Sequence, residues 1–284
     1  MKRIEILPGI QTSVLGFGCA PILGSVDAAT ARIALSAALD CGITHFDLAR
    51  SYGYGQAERF VGRFLRDRRD EVTIATKFGI RATALAGALA PLKPLLRSLK
   101  KSKPTSQPAQ PQALHAPTAK SSRIADLLHQ RLPITADVMK SSLERSLREL
   151  GTDYVDFLLV HEPRERIDAI SDVLAAAQNL KQAGKIRAFG FAIMMHDERT
   201  HTSYLDAADL LQFDNAPGMP HYAATLESRS DQPNIFFSPF RNRQPGQQPA
   251  EILKQLGSDF PKSITLCSMF KPEHIRQNAA AIPD

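Results

Sequence analysis

The 284-residue sequence predicts an α/β fold, a (β/α)8 barrel of the TIM type. Three observations point to it. Eight short β-branched or apolar runs alternate with helical patterns along most of the chain. A hydrophobic content of 43% is enough to bury one barrel-sized core. Asp47, Lys77 and His161 fall at or just past the ends of the second, third and fourth runs, and such barrels keep their working residues at the C-terminal ends of strands.

The elements follow in order. Lys2–Leu7 reads as half of a small hairpin that closes the bottom of the barrel. The barrel strands are predicted at Val14–Gly18, Thr44–Leu48, Val72–Lys77, Tyr154–Val160, Ile186–Phe191, Asp209–Phe213, Asn234–Ser238 and Ser263–Cys267. Between the third and fourth strands, Met139, Leu143, Leu147 and Leu150 share one helical face, which Gly151 terminates. Thr135 is suited to cap that helix, and Asp137 is favourable in its first turn. In the next helix Ile170, Val173, Leu174, Ala177 and Leu180 form the apolar face before Gly184.

Residues 81–135 interrupt the third unit, within a single domain spanning 1–284. Seven prolines, from Pro91 to Pro133, argue against one long helix there. Ala84–Leu99 reads as broken helical turns and Ser102–Ser122 as a flexible stretch. A segment of this length leaving the strand of Lys77 is expected over the active-site face as a lid, a docking element or a loop without fixed structure. It holds nine Lys and Arg against Asp126 alone, a charge of +8. The chain as a whole carries +6, so the remainder sums to −2. The basicity therefore belongs to this segment and not to a nucleic-acid-binding face. Its cations suit an anionic substrate or the cofactor's phosphates, or they form a solvated face.

Cys19, Cys41 and Cys267 are odd in number, far apart and not in metal-ligand spacing, which fits reduced thiols in a cytoplasmic protein. Met1–Glu5 is not followed by an apolar signal region, and no apolar run reaches membrane-spanning length, so no integral membrane segment is expected. No feature speaks to oligomeric state.

The chemistry lies in four side chains. Tyr52 follows the second strand, and Asp47, Lys77 and His161 end strands two, three and four. A phenol has a pKa of about 10, and a neighbouring ammonium is expected to lower it. Asp47 would pair with Lys77, and the His161 imidazole would hold a substrate oxygen. In another context each has a plainer reading, from a core tyrosine to an ordinary exposed lysine.

Phe-Asp-Leu-Ala-Arg-Ser-Tyr-Gly (46–53), Ala-Thr-Lys-Phe-Gly (75–79) and Asp-Tyr-Val-Asp-Phe-Leu-Leu-Val-His-Glu-Pro (153–163) resemble the signatures of the aldo-keto reductase superfamily. The resemblance extends over nearly the whole chain outside 81–135. It implies hydride transfer between NADP(H), or less readily NAD(H), and a small carbonyl or alcohol substrate, with Tyr52 as general acid. It further implies a cofactor site that includes Gly18, Asp47, Gln212 for the nicotinamide amide, and the segment Phe237-Ser238-Pro239-Phe240, whose aromatic would stack on the nicotinamide ring and whose Ser-Pro turn would meet the pyrophosphate. Lys271, His274, Arg276 and Asn278 would hold the adenosine end, where Pro272 suits a first helical turn facing an anion.

The sequence departs from that pattern in places. Gly190-Phe191-Ala192-Ile193 stands where the family commonly has Gly-Val-Ser-Asn, so two polar partners of the carboxamide are missing. His274 replaces a usual arginine and Ser268 a usual basic residue, with Lys271 and Arg276 as substitutes. The stretch from Phe240 to Ser263 is short, and little follows the last helix. A second reading is therefore a degenerate reductase that senses cofactor or binds another protein.

Overall fold

The eight predicted barrel strands all form, and they close on one another. In the computed structural model, which describes residues 1–83 and 128–282, they are β3 (Leu15–Gly18), β4 (His45–Asp47), β5 (Thr73–Phe78), β8 (Val155–His161), β9 (Ile186–Ile193), β10 (Leu210–Asp214), β11 (Asn234–Phe237) and β12 (Ser263–Cys267). Each pairs in parallel with the next, and β12 returns to β3.

The period of two along each strand sets which residues enter the barrel. Ala75, Phe157, Leu159, Ala188, Leu210, Ile235 and Ile264 fill the interior as one apolar cluster. Ile74, Phe78, Leu158, Val160, Leu211 and Phe213 face outward and join the core beneath the helices. The hairpin of β1 (Arg3–Leu7) and β2 (Ile10–Ser13) closes the bottom, since its Ile6 and Ile10 belong to the interior cluster.

Helices α1 (Ala28–Asp40) and α2 (Ala57–Leu65) follow β3 and β4. The predicted capping holds in α3 (Ala136–Leu150): the Val138 amide donates to the Thr135 hydroxyl at 3.3 Å, and Gly151 ends the helix with φ of 69°. Its Met139, Leu143, Leu147 and Leu150 are buried, as their spacing requires. The remaining helices are α4 (Ile170–Gln182), α5 (Glu198–Leu205), α6 (Tyr222–Arg229), α7 (Pro249–Asp259) and α8 (Pro272–Ala280). No described helix is long and apolar enough to cross a membrane.

One element was not anticipated. β6 (Ile80–Ala82) pairs antiparallel with β7 (His129–Arg131), and the Thr83 amide donates to the Leu128 carbonyl at 3.0 Å. The two ends of the Pro-rich stretch thus form a ribbon. Its root is fixed where the Leu132 amide donates to the Gly79 carbonyl at 2.8 Å. Arg131 donates to the Glu162 carbonyl at 2.6 Å, which ties the ribbon to the loop after β8. The helical turns expected in Ala84–Leu99 and the flexibility expected in Ser102–Ser122 lie outside the described residues.

Candidate active site

The strand alternation places four side chains at the barrel mouth, the C-terminal ends of the strands. His45 and Asp47 on β4, Thr73, Ala75 and Lys77 on β5, Phe157, Leu159 and His161 on β8, and Leu210 and Gln212 on β10 follow one inward parity. Asp47, Lys77 and His161 are the last inward residues of their strands, and Gln212 lies one inward position before the end of β10. All four are less than 8% exposed.

The Lys77 ammonium donates to both carboxylate oxygens of Asp47 at 2.7 Å and to the Leu48 carbonyl at 2.9 Å. It lies 3.3 Å from the Tyr52 hydroxyl oxygen. The Gln212 amide nitrogen donates to Asp47 at 2.9 Å, so the carboxylate is well satisfied in its buried position. Tyr52 arrives from the loop after β4, and its ring meets that of His161 edge to face, with centroids 5.9 Å apart. Gly53 makes this turn possible. Its φ is 58°, and a Cβ there would stand 2.6 Å from the Ile22 carbonyl oxygen.

The expectation for the phenol is corrected here. Tyr52 has its pKa held well above the ordinary phenol value, first by burial and then by the negative charges of Asp47 and Glu162. Lys77 gives its two closest contacts to Asp47, which leaves a nearly neutral pair beside a desolvated hydroxyl.

The expected cofactor residues divide by position. Gln212 and Phe237 are at the mouth: Phe237 is half-buried against the interior cluster, and the Gln212 side-chain oxygen is buried with no hydrogen-bond partner. A primary amide arriving there would satisfy that oxygen, so the site fits a nicotinamide carboxamide on this side. The opposite side is apolar. Ala192 is the register neighbour of both His161 and Gln212, and Ile193 beyond it is buried in the outer core.

Gly18 allows a close approach, because a Cβ there would lie 2.6 Å from the Ser268 hydroxyl oxygen. That hydroxyl donates to the Gly18 carbonyl at 3.1 Å. Ser238, with φ of 56°, sits in a left-handed turn after β11. Phe240 packs instead against the outer core. Lys271 and His274 are exposed at the start of α8, with Pro272 in its first turn. Arg276 lies near the Cys41 thiol at the end of α1, whose pKa is raised by burial and only partly offset by the Arg276 charge, and the Asn278 amide donates to the Met269 sulfur at 3.1 Å.

Two neighbouring groups escaped the sequence reading. Arg241 donates to Asp214 at 2.7 Å beside the Ser238 turn, bringing a cation to the segment expected near pyrophosphate. Arg50 and Glu58 form a buried pair behind the Tyr52 loop, and the Thr76 hydroxyl donates to Glu58 at 2.7 Å. The spacing of Arg50 to Glu58 carried no signal, because a loop and a helix start separate them.

Comparison with known proteins agrees with this geometry. Residues 14–199 match the family model of the aldo/keto reductase family. The chain is 28% identical over 198 residues to D-threo-aldose 1-dehydrogenase from Pseudomonas sp, covering 68% of this chain and 53% of that protein. It is 32% identical over 188 residues to aldo-keto reductase YhdN from Bacillus subtilis, covering 64% and 44%. These alignments span about half the length of those relatives. Among solved structures, the holo form of an aldo-keto reductase from Bacillus halodurans superposes with a TM-score of 0.66 at 21% identity, covering 99% of this chain and 90% of that one. An aldo-keto reductase from Klebsiella pneumoniae in complex with NADPH gives 0.62 at 20% identity, covering 95% and 86%. With the family model matched from the first barrel strand into the helix after the fifth, the chain belongs to the aldo/keto reductase family.

Proposed function

We propose that this protein reduces a small aldehyde or ketone to an alcohol, or runs the reverse reaction, with NADP(H) and less readily NAD(H). The observation that carries this reading is the Asp47–Lys77–Tyr52 arrangement at the barrel mouth, with Gln212 bridging to it. The nicotinamide cofactor would supply the hydride. Gln212 would take the carboxamide N–H on its unpartnered oxygen, and the half-buried Phe237 ring would flank the nicotinamide. Lys271 and His274 would meet the adenosine phosphate at the first turn of α8, with Arg241 near the pyrophosphate.

Tyr52 would hold its proton at neutral pH and donate it to the carbonyl oxygen. Lys77 would stabilise the phenolate left behind, and Asp47 would keep the ammonium in place. His161 would hydrogen-bond the same substrate oxygen. The three cysteines are free thiols, which supports a reducing, cytoplasmic setting.

The test follows NADPH oxidation with a panel of aldehydes and ketones. Tyr52→Phe should lower turnover at least a hundredfold and leave NADPH affinity within about twofold. Full turnover by that variant would remove the mechanism. Ala192 between His161 and Gln212 favours a second reading, a cofactor-sensing module with little turnover. Tight NADPH binding without oxidation by any carbonyl would select it.

A further inference from the structure

A cleft of about 440 Å3 lies between the loop after β4, the β6–β7 ribbon and α3, and none of Asp47, Tyr52, Lys77, His161 or Gln212 lines it. Arg50, Arg81 and Arg145 line it together with Tyr54, Thr83 and Gln130, and its described lining contains no carboxylate. We infer that this cleft is a phosphate site, separate from the catalytic mouth, for inorganic phosphate or the phosphate of a small ester.

Each arginine contributes differently. Arg50 is buried and anchored through one terminal nitrogen to Glu58. Arg81 directs Nε and one terminal nitrogen to the Gln130 side-chain oxygen, at 3.0 and 2.8 Å. That acceptor is neutral, so it orders the guanidinium without cancelling its charge. Arg145 is exposed on α3 and makes no hydrogen bond or ion pair among the described residues. Its acidic neighbours on the helix are engaged elsewhere, Glu144 with Lys185 and Glu149 with Arg59.

Setting Glu58 against Arg50 leaves +2 facing the cleft. A phosphate monoester carries about −1.5 to −2 at pH 7 and matches that charge, whereas a single carboxylate leaves a cation over. The planar, forked donors of arginine also suit phosphate oxygens.

The cleft and the mouth take different residues of one loop. Arg50 turns outward to Glu58 on α2, and Tyr52, two residues later, turns inward to Lys77. The left-handed run Gly53, Tyr54 and Gly55 follows Tyr52 and returns Tyr54 and Gly55 to the cleft lining.

Inorganic phosphate titrated into the full chain at constant ionic strength, with chloride as the control anion, tests it by calorimetry and thermal unfolding. Saturable binding is expected, weakened at least tenfold in an Arg81→Gln, Arg145→Gln double variant. It should persist at saturating NADPH, and the double variant should bind NADPH as the parent does. A response no greater than that to chloride, or one unchanged in the double variant, would overturn the site. So would loss of phosphate binding on NADPH addition, which would assign the anion to the cofactor's own pocket. Glycerol phosphate titrated in parallel distinguishes ester from free phosphate by which binds more tightly.

Discussion

Lys77 stands 2.7 Å from both oxygens of Asp47 and 3.3 Å from the oxygen of Tyr52, so its charge is shared unequally between carboxylate and phenol. The ammonium neutralises the buried acid first. Tyr52 is left in a desolvated site with its proton retained, which suits a donor more than a preformed phenolate.

The pH dependence follows from that direction. Because the Tyr52 pKa is raised above the ordinary phenol value, carbonyl reduction should not lose its acid between pH 7 and about 10. Alcohol oxidation, which needs the phenolate, should instead rise with pH across the same range. Initial rates in both directions check this. A fall in reduction with a midpoint near pH 8 would mean that Lys77 dominates after all.

Asp47→Asn or Lys77→Met alone leaves one buried charge without its partner. Each single variant should lose about 3–5 kcal/mol of stability. The double variant should recover much of that loss while remaining inactive. Urea unfolding alongside NADPH oxidation would separate the two effects, and equal losses in single and double variants would show that the pair is not coupled.

Gln212→Leu should weaken NADPH binding by roughly tenfold, because it removes the carboxamide acceptor and one donor to Asp47. Fluorescence titration of the cofactor is the measurement. Unchanged affinity would move the nicotinamide away from β10.

His45 provides a stability test inside the barrel. Its ring is fully buried, with Nδ1 3.0 Å from the Thr73 hydroxyl, and burial followed by the Lys77 charge lowers its pKa to about 3. The folded protein keeps it neutral, while the unfolded chain takes up a proton below about 6.5. The associated stability is therefore complete above pH 6.5 and lost progressively as pH falls towards 3, on the order of 4–5 kcal/mol in all. Unfolding free energies between pH 7 and 4 should fall more steeply for the parent than for His45→Leu. Parallel pH dependences would contradict this account.

The barrel was legible because its strands repeat one pattern. Leu158 and Val160 face the helices, Phe157 and Leu159 fill the interior, and the same alternation delivers His161 to the mouth. Thr135 and Gly151 marked both ends of α3 by local chemistry alone. The β6–β7 ribbon was not legible, since its strands are three residues each and 46 residues apart, with no tight turn to announce the pairing. The direction of the Tyr52 shift was missed for a different reason. A motif shows which charges are neighbours, but burial and the share of Lys77 taken by Asp47 emerge only in three dimensions.

The ribbon also has an engineering consequence. Thr83 and Leu128 are already hydrogen-bonded across its tip, so a two-residue Asn-Gly turn could join them without disturbing the barrel. The same two positions form a ready socket, into which foreign peptides could be spliced beside the Asp47–Lys77–Tyr52 cluster.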